Sequence, residues 1–561
     1  MKKPEARTLS TKSKNFVIRY FDKFSFLGLV FAVLFFLISM LPSLLPRPWL
    51  YQGLISGLSM AVGYGLGILL SKFVRWLIEK EVSKKIKSTL WKILIVAGPI
   101  SMLIFLYFGA NWQNQVRQLV GEQPLDARHT FRILFLTIII FVILISLARL
   151  IRKFNSFLNS YLSKFLPKKL GILLGVGLVV FLSVLLVKGV LVDTFVSQSN
   201  KIYSAKNDTT PEGVNQPTSF YRSGSPESYA KWETLGYQGK NFVARGPSQQ
   251  QLRDFTKTNT KEQIRIYSGV NSAPTPKERA NLAVAELKRT DAFSRKVIVI
   301  ATVTGTGWLE PQSTDSIEYM YGGDTAIVGQ QYSYLPSWIS FLVDQQNATD
   351  AGQELFNAVY KEWSQLPVDK RPKLLVYGLS LGSFGGQSAF TTAGNITSLV
   401  DGALFMGTPS STVLWQNITQ NRDKGSPEWQ PIYEQGKSVR FAASTNDIQK
   451  DQNKWQFPRI LYMQHASDPV VWFNFNLLLS EPDWLKEPRG PDVSSKMHWY
   501  PFVTFFQVTV DQFFGVTVPN GHGHNYPNTI VDSWAAISPP DNWNEQQALQ
   551  LQSIINTYSN E

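Results

Sequence analysis

The chain has 561 residues, 55 lysines and arginines against 41 aspartates and glutamates, and no cysteine. The missing thiol excludes disulfides, Cys-ligated zinc, iron–sulfur clusters and a cysteine nucleophile. The formal charge of +14 would suit nucleic acid or a membrane surface, but it is unevenly placed: residues 1–193 hold 25 basic and 7 acidic residues, a net of +18, and residues 194–561 carry a net of −4.

The basic third contains five apolar runs, at residues 24–41, 54–78, 90–110, 131–151 and 170–192. Each is close to the roughly 20 residues that a spanning helix needs, so the sequence predicts an α-helical membrane bundle of five transmembrane helices over residues 1–193. The first run lacks the cleavage signature of a secretory leader. Positive charge alternates between the connecting segments. Lys2, Lys3, Arg7, Lys12, Lys14, Arg19 and Lys23 precede the first run, and only Arg47 follows it. Lys80, Lys84, Lys85 and Lys87 follow the second, flanked by Lys72, Arg75 and Lys92. The next loop has Arg117 and Arg128 offset by Glu122 and Asp126, and Arg149, Arg152, Lys153, Lys164, Lys168 and Lys169 follow the fourth. The positive-inside rule then places the N-terminus in the cytoplasm and everything after residue 193 outside. The +18 is a topology signal, and the nucleic-acid reading loses its support. Gly53, Gly57, Gly63, Gly65 and Gly67, then Gly171, Gly175 and Gly177, allow close helix approach, within the bundle or, as the alternative, in a homo-oligomer. The span centres lack acidic residues, which argues against a proton or ion path.

Residues 194–225 read as a linker, being rich in Ser, Thr, Asn, Gly and Pro from 196 onward. From 226 to 561, β-branched runs at 263–267, 296–302, 373–377, 402–406 and 459–463 alternate with helical patterns. Thr275, Pro276 and Glu278 form an N-cap, first helical residue and capping box. Leu355, Phe356, Val359, Tyr360 and Trp363 recur at helical spacing within 351–366. Such alternation predicts an α/β domain with a mainly parallel sheet.

The sharpest chemical signal is Gly378-Leu379-Ser380-Leu381-Gly382, which ends a predicted strand and opens a predicted helix over 383–393. A nucleophile on such a turn has strained dihedrals and needs small neighbours two residues away on either side. The turn also presents the hydroxyl at a helix N-terminus, where developing negative charge is favoured. The serine needs a base and an orienting acid. Of five histidines, His129 lies in the membrane part, and His465 and His498 are mid-domain. His522 and His524 share a loop near the C-terminus, where the order serine, acid, histidine expects the base. His524 is favoured and His522 is the alternative. The acid is expected after the run at 459–463, at Asp468, with Asp447 as competitor and His465 structural. Oxyanion donors are expected from the Leu381 backbone N–H and from the Gly305–Thr306 region of Thr304-Gly305-Thr306-Gly307-Trp308. That loop lacks the lysine and spacing of a nucleotide phosphate loop. Neither metal nor cofactor is called for.

Taken together, five apolar runs, Thr304-Gly305-Thr306-Gly307-Trp308, Tyr334-Leu335-Pro336-Ser337-Trp338, Gly378-Leu379-Ser380-Leu381-Gly382 and Gly521-His522-Gly523-His524-Asn525-Tyr526 resemble a bacterial family of membrane-anchored α/β-hydrolases. The resemblance covers nearly the whole chain. It implies an α/β-hydrolase fold, lipase or esterase activity, and a triad that falls here on Ser380, Asp468 and one of the two histidines. The resulting expectation is a membrane-tethered extracytoplasmic serine hydrolase acting on a lipid or acylated cell-envelope substrate. An envelope acyltransferase with a sugar or lipid hydroxyl as acceptor is the alternative, and a non-catalytic membrane scaffold is the third reading. Two aromatic segments remain open. Tyr319, Tyr321, Tyr332, Tyr334, Trp338 and Phe341 line either an acyl or glycan pocket or the core. Trp472, Phe473, Phe475, Leu477, Leu478 and Leu479 form a lid, a membrane-facing surface or core.

Overall fold

The computed structural model describes residues 20, 23–78, 83–125, 130–162, 164–165, 167–450 and 453–560. Lys2, Lys3, Arg7, Lys12, Lys14, Arg19, Lys80, Asp126, Arg128 and His129 lie outside them. The chain divides into two compact units.

The first unit is helical. Among the described residues, three of its helices are long and apolar enough to cross a membrane: Trp49–Leu77, Lys84–Leu119 and Phe131–Leu162. This corrects the five expected spans, because two of the apolar runs form shorter apolar helices, Phe26–Ser39 and Leu173–Leu182. The first stops after 14 residues, about 21 Å at 1.5 Å per residue, since Pro42, Pro46 and Pro48 follow at once. In the last, the chain passes into a π-helical stretch, Leu185–Val192, which carries Lys188. Glycines set the packing. A Cβ on Gly63 or Gly67 would lie 2.6 Å from Phe31 O and 2.3 Å from Leu27 O, so helix Trp49–Leu77 meets helix Phe26–Ser39 backbone to backbone. Gly53 and Gly57 lie against the side chains of Leu136 and Ile140, whereas Gly65 faces open space.

The sequence does not announce that this unit also takes in residues from the last fifth of the chain, Phe475–Leu485 and Val493–Phe514. Gln507 Nε2 donates to Leu41 O at 3.0 Å, and Asp511 Oδ2 accepts from Leu44 N–H at 3.1 Å. A single cut at residue 193 therefore does not separate the two units.

The second unit is built on seven parallel strands: β1 Ile264–Ser268, β2 Val297–Thr302, β3 Thr325–Gln330, β4 Lys373–Leu379, β5 Gly402–Met406, β6 Val439–Ala442 and β7 Arg459–Met463. Their order is β1-β3-β2-β4-β5-β7-β6. Helices cover the sheet, and the strands are almost wholly buried, as parallel strands are. The Thr275 cap forms as expected, with a full capping box on helix Pro276–Arg289. Helix Gln345–Ser364 realises the apolar stripe around Phe356. The expected linker is helical over Asp193–Asn207, and Gln331 Nε2 donates to the buried Asn207 Oδ1 at 2.9 Å.

Strands β3 and β6 were not expected. Much of the aromatic segment 319–343 is core around β3: Tyr319 and Tyr332 are buried, although Trp338 is 42% exposed. The second aromatic segment splits, with Trp472, Phe473 and Leu477 buried and Phe475 and Leu479 exposed. From β2 the chain goes to β3 on one side, and from β4 it goes to β5 on the other, so the winding reverses between β2 and β4. In open parallel sheets, ligands bind outside the carboxyl ends of the strands at such a reversal.

Candidate active site

Ser380 directly follows β4 with φ 58° and ψ −125° and caps the start of the short helix Leu381–Gly386. This is the strained turn predicted from the glycines around it. A Cβ on Gly378 would sit 2.4 Å from Gly382 O, and one on Gly382 would sit 2.3 Å from Thr302 O at the end of β2. Both distances are closer than a side chain tolerates, so glycine is required at each position. The expected helix over 383–393 is shorter, ending at Gly386 and resuming at Ala393–Leu399. Ser380 is half-buried.

The expected base and acid lie on two further loops at the same edge of the sheet. Asp468, wholly buried, caps the short helix Pro469–Trp472 and follows β7. Its Oδ1 accepts from Val470 N–H at 2.8 Å, and its Oδ2 lies 2.7 Å from His524 Nδ1. Since the carboxylate only accepts, Nδ1 carries the hydrogen and Nε2 has the free lone pair. His524 Nε2 is buried and has no hydrogen-bond partner among the described residues, Ser380 Oγ included. Catalytic bonds to a serine often form only once substrate is present.

Ser380 and His524 are tied to adjacent strand ends. Ser380 N–H donates to Met406 O, the last residue of β5, at 2.8 Å. A Cβ on the next residue, Gly407, would stand 2.3 Å from His524 Cε1 and 3.1 Å from Asp468 Oδ2. The imidazole therefore lies over Gly407, with the acid behind it.

His522 turns to a different acid. Its Nδ1 lies 3.3 Å from Asp492 Oδ2, with the His522 side chain 28% exposed. Burial would raise the Asp492 carboxyl, but hydrogen bonds from His522 and Ser467 hold it below the usual carboxylate range. Asp447, the competing acid, accepts from Ser444 N–H at 3.0 Å and pairs with Lys450, closing its own turn rather than meeting a histidine. His465 is fully buried, and its Nδ1 donates to Gly523 O at 2.8 Å. Burial pushes its pKa down. His498 belongs to the first unit.

Sequence reasoning missed Ser467, Asp492 and Tyr526. The Tyr526 hydroxyl donates to Asp468 Oδ2 and its ring stacks on His465 at 4.2 Å. Burial and the Asp468 charge push that hydroxyl well above the ordinary tyrosine range.

Of the expected oxyanion donors, Leu381 is the first residue of the helix after Ser380. The Gly305–Thr306 turn follows β2, next to β4. Gly305 N–H donates to Ser337 Oγ at 3.3 Å, a long bond that an oxyanion would have to replace, and Thr306 O accepts from Gln331 Nε2 at 2.9 Å. Among the described residues no cluster of three or more His, Asp or Glu side chains could hold a metal ion.

A serine in a strained strand-to-helix turn and a buried aspartate–histidine pair thus share the carboxyl edge of a parallel sheet. A family model described as the alpha/beta-hydrolase family matches residues 264–551, and one described as the N-terminus of that family matches residues 40–247. No curated protein and no solved structure matches the chain. With just over half of the chain matched by the first model, and the fold and its loops in agreement, the chain belongs to the alpha/beta-hydrolase family.

Proposed function

We propose that the protein is a membrane-tethered serine hydrolase that cleaves ester bonds in a lipid or acylated envelope molecule. The observation that carries the reading is Ser380 in its strained turn, set beside the Asp468–His524 pair whose Nε2 has no hydrogen-bond partner among the described residues. Ser380 Oγ attacks the ester carbonyl carbon, and its proton passes to His524 Nε2. The tetrahedral oxyanion is held by the Leu381 N–H and by the turn at Gly305 and Thr306. Collapse breaks the ester C–O bond, and the leaving alkoxide takes the proton from His524. Water then attacks acyl-Ser380, gives its proton to His524, and the acid leaves as the proton returns to Ser380 Oγ. Asp468 keeps the imidazole in the tautomer that both halves need.

A cavity of about 820 Å³ with a mixed polar and apolar lining supports an amphipathic acylated molecule. Its lining includes Val192, Val196, Leu342 and Val343, with Lys188 and Lys201 at the same site. One wall is helix Ser337–Val343, whose first residue holds Gly305 N–H. In this reading the three span-length helices cross the membrane, the N-terminus is cytoplasmic and the sheet domain is outside. The alternation of lysine and arginine between the segments supports that topology.

Labelling of the full-length chain in membranes with a fluorophosphonate tests the reading. Wild type takes the label and Ser380→Ala does not. An unlabelled wild type, or equal labelling of Ser380→Ala, rejects it.

A further inference from the structure

We propose that Ser467 and Asp492 are positioning residues that fix the catalytic histidine through the backbone of Gly523, an inference that rests on the serine-hydrolase reading. Ser467 directly precedes the acid, and Gly523 directly precedes the base. Ser467 Oγ accepts from Gly523 N–H at 2.9 Å and donates its own hydrogen to Asp492 Oδ2. Ser467 and Asp492 are both buried. On the other side of the same residue, Gly523 O accepts from His465 Nδ1 at 2.8 Å. Gly523 has φ 54°, a conformation that favours glycine, so the turn is held in a shape that other residues rarely adopt.

The direction of these bonds matters. A hydroxyl has one hydrogen and two lone pairs, and left alone it rotates. A carboxylate only accepts, so Asp492 takes the Ser467 hydrogen and leaves the serine lone pairs for Gly523 N–H. The depressed pKa of Asp492 keeps it in the form that does this. Asp492 also takes His522 Nδ1–H, so three consecutive residues of the base loop are each tied. His522 is held by Asp492, Gly523 by Ser467 and His465, and His524 by Asp468. Among the described residues the His524 ring has one hydrogen bond, to Asp468, and its own backbone N–H donates to Gly515 O at 2.7 Å, so the direction of its Nε2 also depends on where Gly523 delivers the backbone. Misplacement of a reacting group by about 1 Å costs on the order of 100-fold in rate.

The test uses the detergent-solubilised full-length chain with a p-nitrophenyl ester as probe. Ser467→Ala is expected to lower kcat by about tenfold or more with KM changed less than about twofold. It is also expected to move the acidic limb of kcat/KM to lower pH, because a loosened Asp468–His524 contact stabilises the imidazolium less. Asp492→Asn keeps an acceptor for the Ser467 hydroxyl and stays near wild type, whereas Asp492→Ala follows Ser467→Ala. A role in stability alone would leave the pH limb where it is. Wild-type kcat with an unmoved limb in Ser467→Ala overturns the proposal. If Ser467→Ala does not fold, equal kcat for Asp492→Asn and Asp492→Ala overturns it instead. A wild type that neither takes the fluorophosphonate nor turns over the ester rejects the parent reading, and the proposal falls with it.

Discussion

Asp468 Oδ2 and His524 Nδ1 are 2.7 Å apart with the carboxyl wholly buried, while His522, two residues away, faces Asp492 instead. The two histidines, of which the sequence favours His524, thus face different acids. His524→Ala is expected to lose on the order of 10³-fold or more in ester turnover, and Asp468→Asn a comparable amount by favouring the wrong tautomer. His522→Ala keeps fluorophosphonate labelling. Steady-state kinetics and labelling rates on the three variants check the assignment, and loss of labelling in His522→Ala alone reverses it.

The elbow glycines make a steric prediction. Gly382→Ala drives a Cβ to 2.3 Å from the Thr302 carbonyl oxygen, and Gly378→Ala drives one to 2.4 Å from Gly382 O. Neither neighbour is a flexible side-chain end, so the backbone must move. Overpacking of this kind costs about 1–3 kcal/mol. Each variant should melt several degrees below wild type and label slowly. Gly394→Ala, where nothing lies within 4 Å of the added carbon, should do neither. Thermal unfolding of the three proteins side by side decides it.

The elbow was legible because its requirement is local: two glycines, a serine and a strand before it. The Thr275 cap was legible for the same reason. Strand β6 was not, since Val439–Ala442 is four residues long and carries Arg440, whose Nε donates to Gly436 O. Strand β3 sits among tyrosines and glycines that read equally well as a pocket. Asp492 was invisible because its partner His522 is 30 residues away and no pattern links them. Apolar composition found the five runs, but length alone could not show that Phe26–Ser39 ends at a cluster of prolines or that Val503–Asp511 packs with the first unit. Such pairings are set by packing between distant segments, and a local window does not contain them.

Buried His465 gives a pH prediction. Burial lowers its pKa in the folded chain, while the unfolded value is about 6.5. The folded state therefore resists a proton that the unfolded state accepts. The sign follows: the contribution to stability is present above about pH 6.5 and is lost as pH falls below it, with a slope of at most about 1.4 kcal/mol per pH unit. His465→Asn, which does not titrate, should flatten the loss of stability between pH 7 and pH 5. Denaturant unfolding at the two pH values measures the difference. An unchanged slope would mean that other groups carry the acid sensitivity.

Asp511 in the first unit separates two ways in which a buried carboxyl can serve. Its Oδ2 accepts from Leu44 N–H at 3.1 Å and Leu45 N–H at 3.4 Å, while Arg47 Nε lies 3.9 Å from Oδ1 and makes no hydrogen bond among the described residues. Burial pushes Asp511 up to about 6 despite the Arg47 charge. Burial outweighs the combined pull of Arg47 and the N–H donors on the charged form. Asp511→Ala leaves two buried N–H groups without an acceptor and should cost about 1–3 kcal/mol, whereas Asp511→Asn keeps an acceptor and costs little. A folded pKa above the unfolded one favours the neutral carboxyl, so this contribution is fullest at low pH and is lost as pH rises through about 6. Wild type should accordingly lose ground to Asp511→Asn between pH 5 and pH 8. Melting temperatures of the detergent-solubilised full chain at both pH values provide the check. A large loss in Asp511→Asn at pH 8 would show that the charge on Asp511, and not its lone pairs, holds Arg47 and the 44–45 turn in place.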